Sequence, residues 1–200
     1  MTPGRGMQAV ILAGGLGTRL LPLTREVPKP MVPVRGAPYL EHQLRFLGEQ
    51  EIRNIVMLVG YLGRQIEDYF RDGSDFGLAI HYSREETPLG TGGALVQAKP
   101  LLDETFLLIY GDSFLSVDYA DIRRRLEAPV EAVIAVYDNL REDTGVPNNI
   151  ALDGQSFVTR YEKNSDAPGL THVDAGVVAM QRSALERCDT AKAFSLEKQL

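Results

Sequence analysis

The sequence has little of what several protein classes require. Its 200 residues include one cysteine, Cys188, which excludes an internal disulfide and a cysteine-based zinc cluster. Three histidines, His42, His81 and His172, show no ligand spacing to one another. No apolar run approaches the roughly 20 residues that a membrane-spanning helix needs, and there are no internal repeats or low-complexity tracts. We therefore expect no membrane partner and a cytoplasmic protein, since a lone cysteine fits a reducing compartment.

Positively charged residues are also fewer than negatively charged ones. Lys and Arg number 21 against 27 Asp and Glu, which gives a formal net charge of −6 at pH 7. This sign argues against non-specific binding to nucleic acid or anionic lipid. It does not exclude phosphate ligands, because a few placed cations can hold a phosphate inside an acidic protein. Hydrophobic residues make up 44% and charged residues 24%, the ordinary balance of a globular chain with a core.

Short apolar runs alternate with longer amphipathic stretches. Runs of strand length occur at Met7–Ala13, Ile55–Val59, Leu78–Tyr82, Phe106–Tyr110 and Val130–Val136. Helices are predicted over Pro38–Gln50, Leu62–Phe70 and Thr91–Gln97. The strands are rich in Val and Ile with little polar alternation, as in parallel sheets buried on both faces. The pattern predicts an α/β fold with helices on both faces of a mostly parallel sheet.

The pattern of predicted elements changes after about Asp138. Turn-rich segments then separate two predicted strands, Phe157–Tyr161 and Val173–Met180, with no helix between them. We interpret this region as a second half added to the same sheet. The first residues, Met1 to Gly6, are expected to form a polar leader outside a single domain over 7–200.

A glycine-rich loop follows the first predicted strand, within Leu12–Leu20. Its three glycines, Gly14, Gly15 and Gly17, would let backbone N–H groups approach an anion closely. A P-loop would require Gly-Lys-Ser/Thr at the end and a dinucleotide fingerprint would require a glycine near Leu20, and the sequence has neither. Taken alone, the loop fits a tight strand-to-helix turn as well as a phosphate site.

Further residues favour the phosphate interpretation. Lys29 stands between Pro28 and Pro30, which hold its backbone extended and favour a positioned cation over a solvated one. A second glycine loop, Pro88–Ala94, enters a predicted helix, where Gly92 and Gly93 permit close backbone approach; the neighbouring Glu85 and Glu86 are expected to be solvated. Asp112 follows the strand Phe106–Tyr110, a position suited to Mg²⁺, although an Asx turn is the alternative.

Several segments together identify a resemblance. Gly-Gly-Leu-Gly-Thr-Arg-Leu, Pro-Leu-Thr and Pro-Lys-Pro-Met, followed by Pro-Leu-Gly-Thr-Gly-Gly-Ala, Gly-Asp-Ser and Glu-Lys, resemble the signature of the sugar-phosphate nucleotidyltransferases. The resemblance runs in order from Met7 to about Leu200. It implies the Rossmann-like nucleotidyltransferase fold, with a nucleotide half at about 7–137 and a sugar-phosphate half at about 138–200. It also implies an enzyme that joins an NTP to a sugar 1-phosphate and releases pyrophosphate, with Mg²⁺ as cofactor.

The resemblance carries roles for individual residues. The implied catalytic residues are Arg19 at the β- and γ-phosphates, Lys29 at the α-phosphate and Asp112 at the metal. Nucleotide-binding roles are implied for Leu12, Ala13, Gly14, Gly15, Gly17, Thr18, Thr91 and Gly93. Sugar-phosphate-binding roles are implied for Gly145, Glu162, Lys163 and Asp174. Transfer of this kind depends mostly on alignment and charge neutralisation, which suits these residue types.

The substrates stay open at this point. The second glycine loop is most similar to heptose 1-phosphate or mannose 1-phosphate guanylyltransferases. A thymidylyl- or uridylyltransferase acting on glucose or amino sugar 1-phosphates is the alternative, and a non-catalytic homologue that binds nucleotide sugar is another. The family's late metal-binding aspartate, in an Asp-Val-Gly-Thr or Asp-Ile-Gly-Thr segment, does not occur here, so we expect either truncation or reliance on Asp112 alone. Related bacterial enzymes commonly assemble as homo-oligomers, but no interface is identified in this sequence.

Overall fold

The structure is a computed structural model that describes residues 6–140, 144–163, 165, 167–188 and 193–198. The expected leader lies outside the described residues, apart from Gly6. The strands are β1 Gln8–Leu12, β2 Pro33–Val34, β3 Ala37–Pro38, β4 Asn54–Val59, β5 Ala79–Arg84, β6 Thr105–Tyr110, β7 Ala132–Asp138, β8 Ile150–Leu152, β9 Val158–Tyr161 and β10 His172–Gln181. The α-helices are α1 Tyr39–Glu49, α2 Gly63–Phe70, α3 Gly90–Ala98 and α4 Tyr119–Arg124.

One sheet runs through both halves of the chain. Strands β5, β4, β1 and β6 lie side by side and are parallel, which confirms the expected parallel sheet for the first half. Strand β10 then pairs antiparallel with β6 and β7, and it contacts β8 where His172 pairs with Ile150. Strand β9 pairs antiparallel with β8. The predicted second half is therefore an antiparallel extension of the same sheet.

The sheet is buried on both faces, as the apolar runs predict. In β1, Ala9 and Ile11 point into one hydrophobic cluster, while Val10 points into the other. Helices α1, α2 and α4 cover the first face, and α3 covers the second. Helix α1 begins directly after Pro38, which suits a helix start, and buries its Leu40, Leu44 and Leu47 side chains. The expected α/β architecture with helices on both faces is confirmed.

The register of the parallel strands places their carboxyl ends at one edge. Leu12 at the end of β1 is level with Leu58 in β4 and with Tyr110 at the end of β6. The backbone continues this pairing into the loops: Ala13 N–H donates to the Leu58 carbonyl at 2.8 Å, and Gly111 N–H donates to the Leu12 carbonyl at 2.9 Å. Open α/β sheets bind ligands at this edge, and the sequence motifs lie there.

Candidate active site

A pocket of about 610 Å³ opens at the carboxyl ends of β1, β4, β5 and β6. Its walls come from the loops that follow these strands, from α3, from Lys29 and Pro30, and from Lys163 just after β9. The predicted site residues on its walls are Leu12, Ala13, Gly14, Gly15, Lys29, Thr91, Asp112 and Lys163. The pocket thus gathers residues from motifs that are far apart in the sequence.

The first glycine loop is fixed by short contacts. Gly17 has a φ of 64°, in the left-handed region that favours glycine. A Cβ at this position would lie 2.9 Å from the Cβ of Lys29, so glycine also allows the base of the Lys29 side chain to pack against the loop. Thr24 is 1% exposed and its hydroxyl donates to the Gly17 carbonyl at 2.9 Å. These contacts hold the loop in place beside Lys29.

Arg19 lies outside the pocket wall in this structure. It belongs to a single 3₁₀ turn, Thr18–Leu20, and its side chain is exposed. Within the described part of the chain it has no ion pair or side-chain hydrogen bond. Gly17 and Thr18 also lie off the wall. The predicted phosphate contacts of these residues therefore stay predictions.

Lys29 and Asp112 form an ion pair on the pocket wall. The expected extended backbone at Lys29 is wrong: Pro28 is extended, but Lys29 begins a 3₁₀ turn, Lys29–Met31, because Pro30 is tolerated in the first turn of a helix. Both flanking prolines are buried. The Lys29 ammonium donates to the Asp112 carboxylate, and the two side chains are 26% and 40% exposed. Each group neutralises the charge of the other. The pair brings the predicted α-phosphate cation and the predicted metal ligand to one point.

The turn that carries Asp112 is tied to helix α1. Gln43, which is 1% exposed, donates from its amide to the Tyr110 carbonyl at 3.0 Å and to the Ser113 carbonyl at 2.6 Å. These carbonyls lie on either side of Gly111 and Asp112. A Cβ at Gly111 would lie 2.5 Å from the Leu12 carbonyl oxygen, so the turn packs directly against the end of β1. Asp112 is thereby presented on a rigid support.

The donor chemistry at Asp112 fits Mg²⁺. This cation takes oxygen ligands, often through one or two carboxylates plus substrate phosphates. Asp112 offers one partly exposed carboxylate on the pocket wall. No cluster of three or more His, Cys, Asp or Glu side chains suited to a metal occurs among the described residues.

Glu85 corrects an expectation from the sequence. It was expected to be solvated, but it is partly buried and lines the pocket. Its Oε2 accepts the Leu89 N–H at 2.9 Å, which fixes the carboxylate against the second glycine loop. Its Oε1 lies against Gly14 and Gly60, where a Cβ on Gly60 would approach to 2.7 Å. The feature of the sequence that could have indicated this role is the position of Glu85, directly after the carboxyl end of β5.

The glycines of the second loop make room for a distant segment. The ring of Phe194 lies against Gly92, where a Cβ would approach the ring to 2.0 Å. Gly92 N–H donates to the Phe194 carbonyl at 3.0 Å, and Phe194 N–H donates to the Leu89 carbonyl at 3.0 Å. The sequence predicts that Gly92 and Gly93 permit close backbone approach and that Gly93 binds the nucleotide. Gly92 instead contacts the chain's own Phe194, and Gly93 lies off the pocket wall.

The second half brings a hydrogen-bonded network to the pocket. The Tyr161 hydroxyl donates to Asp174 and lies 3.3 Å from the Tyr110 hydroxyl. The other Asp174 oxygen accepts the Gly176 N–H at 2.7 Å. Burial, followed by the nearby Asp174 carboxylate, raises the pKa of both Tyr110 and Tyr161, so both hydroxyls stay protonated at neutral pH. Asp174 therefore holds the Tyr161 hydroxyl beside Tyr110. The predicted contact of Asp174 with the sugar stays a prediction.

The side chains of Glu162 and Lys163 have different neighbours. Glu162 accepts hydrogen bonds from Arg160 at 2.7 Å and from Ser165 at 2.7 Å, and these bonds lower its pKa. Lys163 lies over the Tyr110 ring, 5.0 Å from its centroid, and lines the pocket. Glu162, Asp174 and Gly145 lie off the pocket wall. Of the predicted sugar-phosphate residues, the structure brings Lys163 to the nucleotide loops.

Comparison with known proteins decides the family. A family model described as Nucleotidyl transferase matches residues 8–163. The chain belongs to this nucleotidyl transferase family. The match covers both glycine loops, Lys29, Asp112 and Lys163.

Relatives and solved structures agree with this assignment. Mannose-1-phosphate guanylyltransferase of Mycobacterium tuberculosis is 32% identical over 97% of this chain and 54% of its own length. D-glycero-alpha-D-manno-heptose 1-phosphate guanylyltransferase of Campylobacter jejuni is 31% identical over 96% of this chain and 84% of its own length. The chain thus spans about half of the first relative and most of the second. The crystal structure of HddC from Yersinia pseudotuberculosis complexed with GMP-PN has a TM-score of 0.78 at 27% identity, covering 96% of this chain and 83% of that one.

Proposed function

We propose that this nucleotidyl transferase moves a guanylyl group from GTP to heptose 1-phosphate or mannose 1-phosphate, giving a GDP-sugar and pyrophosphate. The family assignment supports the reaction class. The names of the mannose and heptose relatives support the guanylyl donor and the two sugars. The pocket supports the chemistry, because it combines glycine loops with a lysine, a carboxylate and a second lysine.

Glu85 is the observation that carries the choice of guanine. Guanine presents N1–H and N2–H₂ as adjacent donors, and a carboxylate is an acceptor with about four lone-pair sites. Uracil and thymine present one N–H between two carbonyls, which a carboxylate would repel. Glu85 is held by Leu89 with its other oxygen beside Gly14 and Gly60. A base resting on these backbones would meet a fixed acceptor that matches guanine.

The transfer requires alignment and charge neutralisation rather than a general base. A phosphate oxygen of the sugar 1-phosphate attacks the α-phosphorus of GTP while the bond to the β-phosphate oxygen breaks and pyrophosphate leaves. Lys29 neutralises charge that gathers on the α-phosphate, and Arg19 neutralises the leaving pyrophosphate. Lys163 binds the attacking phosphate. Arginine suits the pyrophosphate because its guanidinium can bind two oxygens at once.

Asp112 would hold Mg²⁺ in this proposal. The cation would supply charge neutralisation at the triphosphate. The chain's own contribution is the support from Gln43, which fixes the carboxylate. Because Lys29 is paired with Asp112, the lysine must leave the carboxylate as ligands enter and becomes free to bind phosphate.

The wider setting is also a proposal. We place the chain in NDP-sugar synthesis for cell-surface polysaccharide, in the cytoplasm, where nucleoside triphosphates are available. No helix among the described residues is long and apolar enough to cross a membrane. Assembly into a homo-oligomer and the sugar contacts of Gly145, Glu162 and Asp174 stay predictions.

A base-specificity experiment tests the proposal. Pyrophosphate release is measured with GTP, ATP, UTP or dTTP, each paired with mannose 1-phosphate and with D-glycero-α-D-manno-heptose 1-phosphate. We expect the highest kcat/KM with GTP, and we expect Glu85→Gln to lower the GTP-to-UTP ratio at least ~10-fold, because the amide replaces an acceptor with a donor. Glu49→Gln, an exposed carboxylate on α1, should leave the ratio unchanged. A wild-type preference for UTP or dTTP would contradict guanylyl transfer, and no release with any pair would contradict the reaction.

A further inference from the structure

Glu197 is a buried carboxylate between the two halves of the site. Its side chain is 8% exposed, and it lies in a 3₁₀ turn, Leu196–Lys198, near the end of the described chain. Its Oε1 is 3.4 Å from the Lys163 ammonium, and its Oε2 accepts from the Thr91 hydroxyl at 3.5 Å. One carboxylate thus contacts a residue of the second glycine loop and the lysine expected at the sugar phosphate.

The segment that carries Glu197 is anchored by its backbone. Leu196 N–H donates to the Thr91 hydroxyl at 2.8 Å, and the Leu196 side chain is 3% exposed. Phe194 pairs with Leu89 and Gly92 through two backbone hydrogen bonds, and its ring fills the space that Gly92 leaves by having no Cβ. These contacts hold residues 194–197 against the start of α3. Glu197 is therefore presented on a fixed support.

Lys163 needs such a partner to be held in one place. A lysine carries its charge on a flexible four-carbon stem with several rotamers. Among the described residues, the neighbours of the Lys163 ammonium include Glu197 at 3.4 Å, the Tyr110 hydroxyl at 3.4 Å, and the rings of Tyr110 and Tyr161. Glu197 is the charged one among them. Its attraction directs the ammonium toward the pocket wall formed by Tyr110 and Thr91.

We propose that Glu197 is a positioning residue for the sugar 1-phosphate, because it holds the Lys163 ammonium beside the nucleotide loops. The inference rests on the proposed function, in which Lys163 binds the attacking phosphate. An attacking phosphate must meet the α-phosphorus in line, and small misplacements of a reactant slow such steps strongly. Residues 194–197 are then part of the active site, although they do not line the pocket.

A double-mutant cycle in the full chain separates positioning from stability. The proteins are wild type, Glu197→Gln, Lys163→Ala and the double variant, with Glu186→Gln as matched control. Glu186 is 68% exposed and pairs with Lys99 at 3.8 Å, away from the site. Glutamine keeps the size of Glu197 and an acceptor for Thr91 but removes the charge. Thermal unfolding confirms that each variant is folded.

We expect the kinetic effect of the substitution to differ between the two substrates. Glu197→Gln should lower kcat/KM for mannose 1-phosphate at least ~10-fold and change the KM for GTP less than ~2-fold, because it acts through the sugar-phosphate lysine. In the Lys163→Ala background the same change should have less than a ~2-fold effect, since the contact is already lost. Equal effects in both backgrounds, or a matching change in the KM for GTP, would overturn the proposal.

A second readout does not depend on turnover. Labelling of lysine amines, followed by peptide mass spectrometry, reports how well Glu197 holds Lys163. Glu197→Gln should speed labelling of Lys163 and leave Lys99 unchanged, and Glu186→Gln should do the reverse. Unchanged labelling of Lys163 would overturn the contact itself. Wild-type protein that releases no pyrophosphate would overturn the proposed function, while the labelling result would still decide whether Glu197 holds Lys163.

Discussion

Lys29 and Arg19 are the cations expected at the triphosphate, and the structure holds them differently. Lys29 is fixed by buried prolines and by Asp112, whereas Arg19 is exposed on a single turn. We predict that Lys29→Ala and Arg19→Ala each lower kcat by at least ~10²-fold, because each removes charge stabilisation in the transition state. Steady-state pyrophosphate release with saturating substrates measures this. Arg53→Ala, an exposed arginine before β4, is the control; near-normal turnover in either site variant would refute that residue's role.

Asp112 gives a prediction about metal binding. In the free chain Mg²⁺ must compete with the Lys29 ammonium for one carboxylate, whereas bound GTP adds phosphate oxygens as ligands. We therefore expect the Mg²⁺ affinity measured by calorimetry to rise at least ~10-fold when GTP is present without sugar phosphate. Asp112→Asn should abolish this gain, and Asp75→Asn, at an exposed residue, should not. Tight binding without nucleotide that survives Asp112→Asn would place the metal elsewhere.

Helix α1 carries a buried ionisable group whose effect depends on pH. Glu41 is 7% exposed and accepts hydrogen bonds from Tyr69 at 2.6 Å and from Arg45 at 2.6 Å. The Tyr69 bond first, and then Arg45, lower the pKa of Glu41 below the ordinary value of 4.5. A lowered folded-state pKa means that ionised Glu41 stabilises the fold above pH 4.5 and that this stabilisation is lost as pH falls through the folded-state pKa.

Glu41→Gln should therefore be destabilising only in one pH range. We expect a loss of roughly 1–2 kcal/mol in the free energy of unfolding at pH 7, since a hydrogen-bonded charge is replaced by a neutral amide. The difference from wild type should shrink as pH falls below 4.5, where wild-type Glu41 becomes protonated. Urea unfolding at both pH values measures it, with Glu49→Gln as the exposed control. A difference that is equal at neutral and acidic pH would contradict this account.

The elements differ in how far sequence alone predicts them. Strands such as β1 and β6 were predictable because strands buried on both faces have apolar runs without alternation. The direction of β10 was not predictable, since no local sequence pattern distinguishes parallel from antiparallel pairing. The burial of Glu85 against the pocket was not predicted, because a charged residue beside a loop is usually solvated. The contact of Phe194 with Gly92 joins residues far apart in sequence, and only the folded chain brings them together.

At the scale of the whole molecule, one sheet joins the two glycine loops to the residues predicted to bind the sugar phosphate. Strand β10 lies directly beside β6, and Gly176 packs so closely on Ser113 that a Cβ would lie 2.3 Å from its hydroxyl. The hydroxyl of Tyr161, in the second half, also lies 3.3 Å from the hydroxyl of Tyr110 at the end of β6. Lys29 and Lys163 line the pocket of a chain whose net charge is −6, so cations are placed locally where phosphates are expected.

The central claim is that this pocket joins the phosphate of a sugar 1-phosphate to the α-phosphorus of GTP. Mannose 1-phosphate carrying oxygen-18 in its phosphate group tests this directly, because attack by that phosphate leaves all of its oxygens in the product. With GTP, Mg²⁺ and the chain, mass spectrometry should find the full label in GDP-mannose and unlabelled pyrophosphate in equal amount. Label in pyrophosphate, or pyrophosphate released without GDP-mannose, would contradict the account.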